Sequence, residues 1–195
     1  SAQAAIDALT AQGVRHIVLM THHGFDADKA LAAQLTGVDV IIGGDSHTLL
    51  GDFKALGLPS GGRYPTVARN AAGERVCIGQ AWEYGKAFGL MNVRFDAQGR
   101  VSQCSGQASL VIGEPFKRKD AAGTIAPHLA PVNDVAEVLL LCGDLTDYGL
   151  AEEAHVLVRE LSVVRIPMIA VLGNHDSEPY ESTNPRAAIR SEERR

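Results

Sequence analysis

The sequence predicts an α/β protein, and two patterns carry that prediction. Short apolar runs bounded by turn residues alternate with segments of helical periodicity, an order that is typical of strand–helix–strand units. One such unit spans residues 14–42 and another spans residues 138–172. In both units polar residues cluster directly after the strands. Open α/β sheets place their ligands at that position.

The later unit has two apolar runs, 138–141 and 168–172, which we expect to be buried strands. Gly143-Asp144 follows the first run and Gly173-Asn174-His175-Asp176 follows the second. Strand ends that point the same way meet at one edge of a sheet, so these polar residues are expected to lie close together. Between the runs, apolar residues at helical spacing predict an amphipathic helix: Leu150, Ala154, Leu157, Val158, Leu161 and Val164.

The earlier unit is built in the same way. His22 follows its first predicted strand, and Asp45 and His47 follow its second. Beyond it, residues 76–82 and 89–95 predict two more strands, and the turn at 96–99 predicts a hairpin with a return strand. The elements predicted in the unit itself are a helix over 4–11, a strand over 14–20, a helix from 26 to 35 and a strand over 38–42.

The residue types at these strand ends suit divalent cations. A carboxylate such as Asp144 has two oxygens and could bridge two ions about 3.5–4 Å apart. The Asn174 amide oxygen is a neutral ligand, and His175 could ligate a metal or donate a proton. The chemistry therefore indicates a metal site, and it leaves the role of His175 open.

Gly-Asp-x-x-Asp followed by Gly-Asn-His-Asp resembles the pattern of the calcineurin-like metallophosphoesterases. The resemblance implies that Asp144 bridges the metals and that Asn174 is a ligand of one of them. It also implies that His175 contacts the phosphoryl oxygens or protonates the leaving group. Asp147 and Asp176 would be supporting carboxylates. The structural alternative is that Asp147 only begins a helix and that Gly-Asn-His is only a turn.

Residues 1–118 resemble the later half of the 5′-nucleotidase catalytic domain, through Thr-His-x-Gly and Gly-Gly-Asp-Ser-His-Thr. The resemblance implies that His22 and His47 are metal ligands. Asp45 stands where that family usually has a histidine. A carboxylate can replace imidazole on zinc or manganese, so Asp45 is predicted as a ligand, with a turn aspartate as the alternative.

The chain departs from the family in two ways. The order of the motifs is inverted, and the opening Asp-x-His is missing; its nearest counterpart is Ala126-Pro127-His128. We therefore predict a metallophosphoesterase-like β-sandwich flanked by helices, with its halves in permuted order. The predicted parts are a segment at 1–118, a linker at 119–131, a segment at 132–177 and a tail at 178–195, together forming one domain. The halves are expected to share one site, either within one chain or between two chains of a domain-swapped homodimer.

Composition excludes some classes of protein. The chain has 195 residues, 46% of them hydrophobic, and its net charge of −5 gives no indication of a nucleic-acid partner. No apolar run approaches about 18 residues, so no membrane span is expected. Cys77 and Cys104 could pair if the chain is exported, although two free thiols are an equal or better expectation. The resemblance to 5′-nucleotidases implies a periplasmic or extracellular location; otherwise the chain would be cytoplasmic.

The resulting functional prediction is a metal-dependent phosphatase that acts on a small phosphoester. A phosphomonoesterase is favoured over a phosphodiesterase. One or two Zn, Mn or Mg ions are expected per site, and the second should bind weakly because its ligand set is incomplete. The predicted metal ligands are Asp144, Asn174, His22, Asp45 and His47, and the predicted catalytic residue is His175. The alternative is a non-catalytic metal- or phosphate-binding protein, or a chimeric fusion with a degenerate site.

Overall fold

The computed structural model describes residues 1–111, 117–119, 125–127, 129, 131–146 and 149–177. The chain divides into two compact units, Ser1–His128 and Leu129–Arg195. The predicted positions His128 and Asp147, most of the predicted linker and the whole tail lie outside the described residues. The prediction that the two segments form one domain stays a prediction.

A four-stranded sheet lies at the centre of the first unit, in the order β1-β2-β4-β3. Strands β1, β2 and β4 are parallel, and β3 is antiparallel to β4. A hairpin of β5 and β6 and a short β7–β8 pair complete the strands described in this unit. The elements of this unit are α1 Ala2–Ala11, β1 Val18–Met20, α2 Phe25–Gln34, β2 Val40–Gly43, a 3₁₀ turn Lys54–Leu56, β3 Thr66–Arg69, β4 Arg75–Gln80, β5 Ala87–Phe95, β6 Val101–Leu110, β7 Lys117–Lys119 and β8 Ile125–Pro127.

Alternation along β2 and β4 gives this sheet two buried faces. Successive side chains of a strand point to opposite sides. Ile41 and Ile78 face one core, which contains residues of α1 and α2, whereas Val40 and Cys77 face a second core with Val101 of β6. The unit therefore has a helical layer, a sheet and a hairpin on the opposite face. The mixed α/β class is confirmed, and these layers are consistent with the predicted sandwich; the permuted order stays a prediction.

A disulfide joins the sheet to the hairpin. Cys77 of β4 and Cys104 of β6 are bonded, with their Cα atoms 5.7 Å apart. The expectation of two free thiols is therefore wrong. The reason is the layering: both residues face the second core, and the pairing of β5 with β6 brings Cys104 over the middle of β4.

The second unit contains the predicted strand–helix–strand segment. Its elements are α3 Val132–Val135, β9 Leu139–Cys142, α4 Ala151–Leu161, β10 Met168–Val171 and α5 Asn174–Ser177. Strands β9 and β10 are parallel, with Cys142 opposite Val171, so their carboxyl ends lie side by side. This parallel pairing agrees with the predicted arrangement.

The prediction that β10 is a buried strand is wrong in this structure. Met168 is 46% exposed and Ile169 is 53% exposed. Because adjacent residues of a strand point to opposite faces, both faces of β10 are open to solvent. The predicted apolar face of α4 is also partly open, since Val158 is 67% exposed. Among the described residues this sheet has two strands, which leaves β10 at an edge.

Candidate metal and phosphoester site

Asp144 and His175 meet at the carboxyl ends of β9 and β10. The Asp144 Oδ1 accepts a hydrogen bond of 3.0 Å from the backbone N–H of His175. The Asp144 Oδ2 lies 3.7 Å from Nε2 of His175. Asn174 begins α5 directly before His175, so the structure brings the three predicted residues of this unit into one loop pair.

Gly173 makes the close approach of these two loops possible. A Cβ placed on Gly173 would lie 2.2 Å from Oδ1 of Asp144 and 2.4 Å from its backbone nitrogen. No side chain fits at those distances, because one of the contacts is to backbone. Asp144 itself has a left-handed backbone with φ of 49°, a conformation that costs energy for a residue other than glycine and is often found at functional sites.

Asp176 holds the same loops together through its carboxylate. This group accepts hydrogen bonds from the backbone N–H groups of Gly173 at 2.9 Å, Leu145 at 3.0 Å and Thr146 at 2.7 Å, and from the Thr146 hydroxyl at 2.8 Å. Burial opposes ionisation of this carboxyl, but the four hydrogen bonds outweigh it, so the pKa of Asp176 lies below its ordinary value. Asp176 is therefore a charged anchor for the backbone around Asp144.

The first unit places His22 after β1, and Asp45 and His47 after β2. Asp45 and His47 have left-handed backbones, with φ of 73° and 50°. The two loops touch: the hydroxyl of Ser46 accepts a hydrogen bond of 2.9 Å from the backbone N–H of Phe25. The parallel pairing of β1 with β2 thus brings the predicted ligands of this unit to one edge of its sheet.

Gln80, which sequence reasoning missed, fixes the loop that carries Asp45 and His47. Its Oε1 accepts hydrogen bonds from the backbone N–H of Thr48 at 2.6 Å and the hydroxyl of Ser46 at 3.1 Å. Its Nε2 donates to the carbonyl of Gly44. The signal in the sequence was a polar amide at the end of a largely apolar strand. In the structure Gln80 is only 2% exposed.

Asp28 is a second residue that was missed. It lies in the first turn of α2, and its side chain is fully buried. Its Oδ1 accepts a hydrogen bond of 2.7 Å from the Thr21 hydroxyl and lies 3.7 Å from Nε2 of His23. Burial raises the pKa of Asp28, against the opposing effects of Thr21 and His23. Asp28 therefore contacts both chain neighbours of His22, and it is hydrogen-bonded to one of them, Thr21.

The donor atoms in both units are those that divalent cations prefer: carboxylate, amide oxygen and imidazole. In chemistry, therefore, the residues fit the expected metal. Within the part of the chain that the structure describes, however, no three His, Cys, Asp or Glu side chains converge tightly enough to hold an ion. The metal-ligand assignments and the prediction of a shared site therefore stay predictions.

Comparison with known proteins agrees with this chemistry. Residues 110–193 match the family model described as calcineurin-like phosphoesterase. The resemblance to metallophosphoesterases is confirmed. The chain is also 43% identical over 113 residues to a probable 5′-nucleotidase of Treponema pallidum, and 34% identical over 111 residues to a human 5′-nucleotidase.

Solved structures support the same resemblance. A 5′-nucleotidase precursor from Thermus thermophilus aligns with 56% of this chain and 22% of its own, at 49% identity and a TM-score of 0.54. A Haemophilus influenzae NAD nucleotidase aligns with 99% of this chain and 33% of its own, at 23% identity and a TM-score of 0.55, which bears on the fold alone. The chain spans about a fifth of the length of its curated relatives, 19% for the Treponema and human proteins.

Proposed function

We propose that this chain carries the residues of a metal-dependent phosphomonoester hydrolase. The observation that carries the proposal is the Asp144–His175 arrangement at the ends of two parallel strands, in a segment that matches the phosphoesterase family model. The names of the relatives favour a nucleoside 5′-monophosphate as the class of substrate.

The proposed metal ligands are Asp144 and Asn174 in the second unit, and His22, Asp45 and His47 in the first unit. When bound, such an ion stabilises the charge that develops on phosphoryl oxygens and makes water a nucleophile at neutral pH. Asp176 holds the backbone of Leu145 and Thr146 directly after Asp144, and the backbone N–H of His175 donates to the Asp144 carboxylate. This carboxylate is therefore oriented before any ligand arrives.

His175 would protonate the leaving oxygen. Its backbone is fixed by Asp144, and its side chain is 16% exposed, so it stays accessible to a substrate while its ring has little freedom. A positioned general acid contributes about 10²- to 10⁴-fold to a rate. The Asp144 carboxylate, 3.7 Å from Nε2, lies beside the ring nitrogen that would carry the transferred proton.

The disulfide between Cys77 and Cys104 supports a location in an oxidising compartment, because such bonds are rare in reducing cytosol. That agrees with the periplasmic or extracellular expectation. In the described part of the chain, no helix has the length and apolar character that crossing a membrane would take.

The test is hydrolysis of p-nitrophenyl phosphate by the full chain, with Mn²⁺, Zn²⁺ or Mg²⁺ added singly and then removed by EDTA. We expect turnover that requires metal and that exceeds turnover of bis-p-nitrophenyl phosphate. Adenosine 5′-monophosphate should be hydrolysed as well. Metal binding without hydrolysis of any of these substrates would reject the proposal and favour a non-catalytic binding protein, which the incomplete ligand set of each unit would explain.

A further inference from the structure

Glu83, in the loop between β4 and β5, lies against the predicted ligand His47. Its Oε2 is 3.3 Å from Nδ1 of His47. Its other oxygen, Oε1, accepts a hydrogen bond of 2.6 Å from the ammonium group of Lys86. Glu83 is 20% exposed, whereas His47 is 42% exposed, so the carboxylate is the more enclosed partner.

The loop holds Glu83 in place on both sides. Trp82 and Tyr84, its two neighbours, have left-handed backbones with φ of 62° and 49°, which are costly conformations for such bulky residues. The ammonium group of Lys86 lies 5.2 Å from the centroids of both their rings. The Tyr84 ring also packs on His47, with their centroids 5.3 Å apart. A conformation of this kind persists only where its surroundings impose it.

From this geometry we propose that Glu83 is a positioning residue for His47. In this proposal the carboxylate, 3.3 Å from Nδ1, is the acceptor for the N–H at that nitrogen, and it so fixes the tautomer in which Nε2 carries the lone pair. Histidine ligands generally donate their other ring N–H to a carboxylate or carbonyl, which orients the ring and makes the ligating nitrogen more basic. The inference that Nε2 binds a divalent cation rests on the proposed function. The inference about the tautomer does not.

The primary test measures the tautomer in the full chain without metal or substrate. Long-range proton–nitrogen NMR at about pH 8.5, where an ordinary imidazole is neutral, separates the two ring nitrogens. The His47 signals are identified by their loss in His47→Asn. We expect the Nδ1–H tautomer in the wild-type protein and in Glu83→Gln, whose amide oxygen still accepts, and a shift towards Nε2–H in Glu83→Ala. Asp7→Ala, which removes an exposed carboxylate from α1, is the matched control and should leave His47 unchanged.

Two results would overturn the inference. One is an Nε2–H tautomer of His47 in the wild-type protein, a result that needs no variant and so stands even if Glu83→Ala does not fold. The other is an unchanged Nδ1–H tautomer in folded Glu83→Ala.

The second readout is the affinity for Zn²⁺, measured by calorimetric titration with Zn²⁺ alone. The relevant binding event is the one that His47→Ala weakens. Glu83→Ala should weaken it by about 10- to 100-fold, whereas Glu83→Gln should stay within about threefold. Equal affinities in Glu83→Ala and Asp7→Ala would contradict the inference. A protein that has the expected tautomer but hydrolyses no phosphoester would contradict only the proposed function. An active enzyme with the Nε2–H tautomer of His47 would contradict only the positioning role of Glu83.

Discussion

The backbone N–H of His175 donates a hydrogen bond of 3.0 Å to Oδ1 of Asp144, so the two residues on which the proposed chemistry depends are joined directly. The contact requires that the loops after β9 and β10 lie almost against each other. Gly173 permits that distance, and Asp176 maintains it through four hydrogen bonds. The two loops of this unit are therefore joined by hydrogen bonds from the backbone to the carboxylates of Asp144 and Asp176.

Replacement of Asp144 by Asn should abolish most of the activity while preserving the fold. The amide oxygen of Asn can still accept from His175, but the negative charge is lost. A loss of two or more decades in kcat/KM for p-nitrophenyl phosphate is expected, at about 1.36 kcal/mol per decade. Asp134→Asn, an exposed carboxylate in α3 of the same unit, is the control and should keep wild-type activity. An Asp144→Asn enzyme with an unchanged rate would contradict the assignment.

Replacement of Gly173 by Ala tests the close approach of the two loops. The new Cβ would lie 2.2 Å from Oδ1 of Asp144, so the loops must separate. Overpacking of this kind costs about 1–3 kcal/mol of stability. A displacement of about 1 Å at a catalytic group can also cost about 10²-fold in rate. Urea denaturation and steady-state kinetics measure the two effects. Leu172→Ala, at a neighbour that is 69% exposed, should show neither, and a Gly173→Ala protein that matches it in stability and rate would refute the steric argument.

Replacement of His175 by Ala should separate chemistry from metal binding. If the imidazole is a general acid, turnover should fall by about 10²- to 10⁴-fold while the metal content, measured by atomic emission on the purified protein, stays near the wild-type value. His155→Ala removes an exposed histidine from α4 and serves as the control. Loss of metal in parallel with activity would show instead that His175 is a ligand.

The strand ends were predictable, because hydrophobic runs and the turns after them are local features of the sequence. Parallel pairing of β9 with β10 then places the loops that carry Asp144 and His175 at the same edge of the sheet. Glu83 was not predictable in this way. Its contact with His47 depends on the left-handed backbones of Trp82 and Tyr84, and nothing in the local sequence requires φ above zero for two large aromatic residues.

Burial was predicted less well than pairing. An apolar run indicates that a strand is suited to burial, but it does not show which other residues would pack on it. Ile169 lies in such a run and is nevertheless exposed. Strand β3 was missed because it is only four residues long and follows a Gly- and Pro-rich loop. The disulfide was left open because residues 77 and 104 come together only when the hairpin packs on the sheet.

Asp39 should make stability depend on pH in a defined direction. Its Oδ2 accepts a hydrogen bond of 2.9 Å from the backbone N–H of Ile17, and burial raises the pKa of Asp39 although that bond and His16 oppose the shift. The folded protein therefore keeps this proton to higher pH than the unfolded chain. The associated stability is present below the ordinary pKa of about 3.9 and is lost as pH rises through the folded-state value.

Urea denaturation of the wild-type protein and Asp39→Asn between about pH 3.5 and 7 measures this effect. The stability of the wild-type protein relative to Asp39→Asn should fall as pH rises through that window, by at most about 1.36 kcal/mol per pH unit, and should then become constant. Asp52→Asn, at an exposed carboxylate, should show no such trend relative to the wild-type protein. A pH-independent difference for Asp39→Asn would show that its pKa is the same in the folded and unfolded states.

The disulfide between Cys77 and Cys104 should be a major source of stability in the first unit. The bond closes a loop with a sequence separation of 27 residues. Restriction of the unfolded chain by a loop of that size contributes about 3.5 kcal/mol in the chain-entropy account. We therefore expect Cys77→Ser/Cys104→Ser to unfold at markedly lower urea concentration than the wild-type protein. Cys142→Ser, which leaves the bond intact, should stay close to the wild-type midpoint. Mass spectrometry of the unreduced wild-type protein gives an independent check, because the bond lowers its mass by about 2 Da relative to the reduced chain. A reduced chain with the same urea midpoint as the oxidised one would show that packing of the hairpin on the sheet, through Val101 and its neighbours, holds these layers together without the bond.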